Sequence, residues 1–136
     1  MKLYEDEAIR FDLDEKLACL VWHTKRPLNS EEARKYLRKS MELRTKHRGS
    51  RKHLNVLLDI RKAAARDLED FLFYIEHHVP VALDTGLTHV AIVSPDNIYG
   101  QATYEGFLGR ISSIDSPIQH ELFHTVEQAR QWLKNL

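Results

Sequence analysis

The segment Lys52–Arg61, KHLNVLLDIR, constrains the fold more than any other part of this chain. Leu54, Val56, Leu58 and Ile60 fall on one face of an extended segment, and Leu57 adds an apolar residue to the other. A short run buried on both faces belongs inside a mainly parallel sheet, because an edge strand alternates apolar with polar residues. Asp59 and Arg61 then sit at its carboxyl end, where open α/β sheets place their ligand crevices.

The flanking segments supply the rest of such a sheet. Glu7–Leu13 alternates, with Ile9, Phe11 and Leu13 on one side, which predicts a half-exposed strand. Asp14-Glu15 turns it into Lys16–Thr24, whose apolar run Leu17–Trp22 predicts a more buried partner in an antiparallel hairpin. Thr88–Ser94 reads as another buried strand, and Ile118–His124, after Pro117, as an edge-like one. Helices fall between them. Asn29 with Glu32 forms a capping box for a helix with Ala33, Tyr36, Leu37, Ser40 and Met41 on its apolar face. Arg34, Lys35, Arg38 and Lys39 occupy the opposite face, and the stretch around Gly49 ends it. Asp67 is the expected N-cap of a helix through His78 that Pro80 stops. Tyr104, Phe107, Leu108 and Ile111 have helical spacing in spite of Gly106 and Gly109. Thr125–Gln128 reads as a second capping box before a last helix. The order β-β-α-β-α-β-α-β-α predicts a single α/β domain. Its one mixed, mostly parallel sheet has about five strands and about four flanking helices.

Length and composition agree with one domain of 136 residues. The single cysteine, Cys19, excludes an internal disulfide, and its apolar surroundings predict a buried, inert thiol. The acidic start MKLYEDEAIRFD lacks the apolar core of a signal peptide, and no apolar run is long enough to span a bilayer. A cytoplasmic location is therefore expected. The zero net charge hides a basic middle: residues 25–66 carry 14 basic and 4 acidic groups, whereas residues 67–136 carry 3 basic and 10 acidic ones. Two unlike segments of this kind could meet across a symmetric interface, so a homo-oligomer is a further expectation. Among the basic residues only Tyr36 is interleaved, and its spacing turns it toward the apolar face. Stacking platforms for nucleic acid are thus lacking.

If the later strands are parallel, their carboxyl ends gather His23, Asp59, Arg61 and Ser94 on one rim. Such a set holds the residue types of acid–base or nucleophilic chemistry. Polar residues collect at strand ends in any α/β protein, however, and Asp59 with Arg61 reads equally as a local ion pair. Adjacent His77 and His78 diverge on a helix, while His120 and His124 would stand about 13 Å apart on a strand. Neither pair has metal-ligand spacing. No glycine-rich phosphate loop, dinucleotide fingerprint or Gly-x-Ser-x-Gly elbow is present. The residues therefore favour a binding role over catalysis, with neither metal nor cofactor.

Several landmarks resemble the STAS family (sulfate transporter and anti-sigma-factor antagonist domains), closest to its small stand-alone bacterial members. They are Trp22 closing the second strand, Asn29–Arg34 opening the first helix, and Leu57–Arg61 with Val90–Val93 as inner strands. The ending Phe123–Leu133 (FHTVEQARQWL) completes the set. The resemblance implies a mixed sheet flanked by helices. It also implies regulation through a protein partner or, in some relatives, binding of a small or lipid-like ligand. Anti-sigma antagonists carry a phosphorylatable Asp-Ser pair where the helix after the central strand begins. Here that place reads Arg66-Asp67-Leu68, and no Ser or Thr occurs from Arg51 to Asp84, so the phospho-switch is not carried over. The resemblance then assigns partner contact to Arg61, Arg66 and Asp67. A small apolar or anionic ligand would instead occupy the rim of His23, Asp59, Arg61 and Ser94.

Overall fold

The computed structural model describes residues 1–63, 68–114 and 116–136. In chain order the elements are β1 (Lys2–Glu5), β2 (Ile9–Asp14), β3 (Cys19–Thr24), α1 (Ser30–His47), β4 (Asn55–Asp59) and α2 (Leu68–Phe73). They continue with α3 (Val79–Ala82), β5 (His89–Val93), α4 (Ile98–Ser112), β6 (Gln119–Phe123) and α5 (Val126–Lys134). The strands form one six-stranded sheet in sequential order. β1, β2 and β3 are antiparallel neighbours, whereas β3, β4, β5 and β6 are parallel. The run KHLNVLLDIR thus occupies the interior as its two-sided apolar pattern requires.

One strand exceeds the expectation. β1 is four residues long, with both ends exposed, and its register against β2 slips between Lys2 and Tyr4. A segment so short shows no alternation, which hides it from a reading of periodicity. Asp6 fastens it: its carboxylate accepts from Tyr4 Oη at 2.8 Å, Tyr36 Oη at 2.6 Å, and the Ala8 and Ile9 amides at 2.8 and 2.9 Å.

Pro80 does not stop the helix after β4, contrary to expectation. α2 widens into a π turn over Tyr74–His78 and continues through α3 and a 3-10 turn, Leu83–Thr85, to Gly86 at φ 84°. Pro80 falls in the first turn of α3, directly after the π turn, where the ladder passes from π to α spacing. The expected cap Asp67 lies outside the described residues.

The crossovers decide where the core sits. Each step from β3 to β6 moves one strand in the same direction, and right-handed crossovers then put every connecting helix on one face. The larger core cluster accordingly joins Trp22, Val56, Ile60, Val90 and Ile92 of the sheet to Tyr36 of α1, Phe71 of α2 and Tyr104 and Phe107 of α4. Among the described residues, α5 is the helix that covers the opposite face, with Ala129 and Leu133 against Cys19, Val21, Leu57, Ala91 and Val93.

Capping follows the sequence at α1: Asn29 Oδ1 accepts from the Glu32 amide at 2.8 Å, and Glu32 Oε1 accepts from the Asn29 amide at 3.1 Å. At α5 the box is half formed. Thr125 Oγ1 accepts from the Gln128 amide, but Gln128 Oε1 accepts from His124 rather than from Thr125.

Candidate functional site

The rim at the carboxyl ends of the strands divides between the two faces of the sheet. His23 lies beside Asp59 in the β3–β4 register, and Asp59 beside Val93 in the β4–β5 register. All three share the α5 side. His23 stands between two carboxylates, with Nε2 3.4 Å from Asp12 Oδ2 and Nδ1 3.4 Å from Asp59 Oδ2. Arg61 grips Asp59 with both fork positions, Nε to Oδ1 and Nη2 to Oδ2, each at 2.9 Å. Burial alone would raise the Asp59 pKa, but the donors from His23 and Arg61 outweigh it and hold the carboxyl well below its ordinary range. A carboxylate held that far down is a poor proton acceptor.

Ser94 falls one residue past Val93, on the other side of the strand by alternation. It is buried, and its hydroxyl donates weakly to the Pro95 carbonyl at 3.4 Å. Among the described residues no hydrogen bond joins Ser94 to His23 or Asp59. The structure therefore brings His23, Asp59 and Arg61 together, adds Asp12, and leaves Ser94 apart. Arg66 and Asp67 lie outside the described residues. Cys19 is fully buried, and burial pushes its thiol up to about 12, as an inert core cysteine requires.

The basic face of α1 is only partly solvated. Arg34 reaches Asp70 at 3.9 Å and lies 4.6 Å from the Phe73 ring centroid. Lys35 and Lys39 lie over the rings of Tyr36 and Tyr4, at 5.2 and 5.0 Å. Arg38 is exposed.

A second site lies under the crossover helices. A cavity of about 110 Å³ opens between the sheet and α1, α2 and α4. The sheet contributes Trp22, Thr24, Val56, Leu58, Ile60, Val90, Ile92 and His120 to its wall; α1 contributes Ala33, Leu37 and Ser40. Phe71 and Tyr74 line it from the helix after β4, and Tyr104 and Phe107 from α4. The lining is mostly apolar and rich in rings: Phe71 stacks on Phe107 at 4.6 Å, and Tyr74 on His78 at 5.1 Å.

Polar groups enter this wall at a few points. Tyr74 Oη lies 2.7 Å from His120 Nε2, and His78 Nε2 lies 3.0 Å from Arg44 Nη2. Burial, with Arg44 and His120 nearby, lowers the His78 pKa to about 3, and burial lowers that of His120 to about 4. Both rings are neutral at pH 7. Trp22 is buried in the wall, and its indole Nε1 has no hydrogen-bond partner among the described residues. One signal of this site was present in the sequence. Ala33, Leu37, Ser40 and Arg44 continue a single helical stripe, so a cation occupies a position where the pattern calls for an apolar residue.

No protein-family model matches the sequence, and no curated protein matches it. Among solved structures, the chain is similar to an uncharacterised protein of the DUF3478 family, with a SpoIIAA-like fold, from Shewanella loihica PV-4. The TM-score is 0.58 at 16% identity, with 96% of this chain and 98% of that one covered. At this identity the likeness is one of fold. The chain has the SpoIIAA-like, STAS-type α/β architecture that its landmarks led one to expect. No helix among the described residues is long and apolar enough to cross a membrane.

Proposed function

We propose that this SpoIIAA-like domain is a non-catalytic binding module that holds a small apolar ligand between its sheet and the helices α1, α2 and α4. The cavity under those helices carries the reading. An apolar chamber with a few polar groups in its wall is the usual form of a small-molecule site. At about 110 Å³ it approaches the engineered cavity of about 150 Å³ that takes up benzene. The rim at His23 supports this choice by its own saturation, since Arg61 and His23 already engage both oxygens of Asp59.

The test uses a neutral probe. Titrating the protein with 1-hexanol or benzyl alcohol should raise Tm, by the amount that a hundredfold excess over Kd gives, about 2.7 kcal/mol of stabilisation. Ala33→Leu, which extends a side chain from the cavity wall, should keep the fold and lose that response. A protein that ignores both alcohols, or an Ala33→Leu variant that still responds fully, would refute the reading.

A protein partner is the second reading, and one surface favours it. Ile98 and Tyr99, at the first turn of α4, are 73% and 79% exposed. Large apolar residues this accessible are unusual when they adjoin one another. Copurification from the native cells, compared with Arg61→Glu and Tyr99→Ser, decides it: a partner retained by both variants uses another surface.

A further inference from the structure

Arg44 indicates which chemical class of apolar molecule the cavity takes. Its side chain is fully buried, yet among the described residues no carboxylate lies within ion-pair distance of it. Its partners are His78 Nε2 at 3.0 Å and Thr85 Oγ1 at 3.2 Å, and its Nε has none among the described residues. Burial lowers the guanidinium pKa to about 10, which leaves it cationic at neutral pH. A buried charge without a counter-charge is among the costliest features a fold retains.

The geometry connects that charge to the cavity. An arginine only donates, so His78 Nε2 accepts from Arg44 and the neutral ring carries its proton on Nδ1. His78 and Ser40 both line the cavity, and Arg44 stands behind His78 one helical turn beyond Ser40. The other end carries an ion pair. Asp70 borders the cavity there, receiving a hydrogen bond from Ser30 Oγ at 3.0 Å and meeting Arg34 at 3.9 Å. Arg34 and Arg44 are about 15 Å apart along α1 at 1.5 Å per residue. Among the described residues neither Trp22 Nε1 nor Arg44 Nε, both donors, has an acceptor.

We infer that the ligand of this cavity is a small apolar carboxylic acid, bound as its carboxylate with the charge at the Arg44–His78 end. This rests on the cavity being a binding site, as proposed above. The acid supplies a counter-charge that none of the described residues gives Arg44, while its hydrocarbon body meets the rings of Phe71, Tyr74 and Phe107. Asp70 is already engaged by Arg34 and Ser30 and offers the carboxylate no donor, so the Arg44–His78 end is the one that receives the charge.

The experiment pairs each acid with the alcohol of the same skeleton: hexanoate with 1-hexanol, and benzoate with benzyl alcohol, by calorimetry on the whole chain at pH 7. A charge-assisted hydrogen bond predicts that each acid binds at least about tenfold more tightly than its alcohol. Arg44→Met should abolish that preference while alcohol binding persists. If that variant does not fold, the Nε–H resonance of Arg44 in the wild-type protein decides, shifting with hexanoate and not with 1-hexanol. Equal binding of acid and alcohol overturns this inference and leaves the cavity reading intact. Acid preference that survives Arg44→Met, or an unmoved Nε–H resonance, overturns the role of Arg44. Failure of all four probes overturns both.

Discussion

Trp22 and His23 are consecutive in β3 but serve opposite layers of the protein. The indole packs on Phe11 at 5.3 Å and lines the cavity under α1, α2 and α4. The imidazole lies on the α5 side, 3.4 Å from both Asp12 and Asp59. A strand alternates its side chains between faces, so one residue of sequence separates an apolar chamber from an ion network.

That division predicts a fluorescence signature. The chain has two tryptophans, and Trp132 on α5 packs against His89 and Phe123, away from the cavity. Binding of 1-hexanol should change the emission of the wild type and of Trp132→Phe alike. The Trp22→Phe protein should show no change; a change there would place the alcohol elsewhere.

Acid should destabilise the fold well above the usual carboxylate range. His78 and His120 have native pKa values near 3 and 4, against an ordinary value of 6.5. Below 6.5 the unfolded chain binds protons that the native rings refuse, so stability falls as pH drops. Each histidine contributes a slope of up to about 1.4 kcal/mol per pH unit in that window. Urea midpoints between pH 7 and pH 4 measure it. His120→Phe should flatten the slope, and an unchanged profile would show that the ring is not neutral in the native protein.

Asp6 should be among the costliest surface-proximal residues to change. Burial favours its neutral form, but the hydrogen bonds from Tyr36, Ile9, Ala8 and Tyr4 outweigh that and hold its carboxyl well below the ordinary range. Asp6→Ala leaves the Tyr36 hydroxyl and two amides without an acceptor. A loss of about 2 kcal/mol, or roughly 8 °C in Tm, is expected. A shift of under a degree would mean that water replaces the carboxylate at little cost.

The glycines should divide by position. Gly106 and Gly109 are exposed on α4, and a Cβ on either meets nothing within 4 Å. Alanine at each should stabilise the protein by about 0.5–1 kcal/mol. Gly86 has φ 84°, and a Cβ there would lie 2.9 Å from Arg48 Nε. Gly86→Ala should lower Tm, and its own thermal melt is sufficient to check this.

Much of the layout was legible because it depends on local pattern. The buried run around Leu57 specified an inner strand, Asn29 and Glu32 specified where α1 begins, and the spacing of Tyr104, Phe107 and Ile111 outweighed two glycines. What stayed hidden depends on partners far apart in sequence. β1 is too short to show a period and is held by Asp6. Pro80 punctuates a helix in isolation but is tolerated in the first turn after a π segment. The Asp59–Arg61 pair could be read from its two-residue spacing, whereas the parting of Ser94 from His23 needed the register between strands. The cavity is formed by residues from β3, α1, β4, α2, β5, α4 and β6, and only Arg44, misplaced in an apolar stripe, marked it in the sequence.

The sequential strand order has a consequence for how the protein is made. No strand is inserted between two that precede it in the chain, so each pairs with the one synthesised just before. During N-to-C synthesis every emerging βα unit meets an edge that already exists, and no ladder waits for a distant segment. Among the described elements α5 comes last in the chain, and it is the helix whose Ala129 and Leu133 cover the second face of the sheet. Within this domain that face can close only after β3, β4 and β5, against which α5 packs, have been laid side by side.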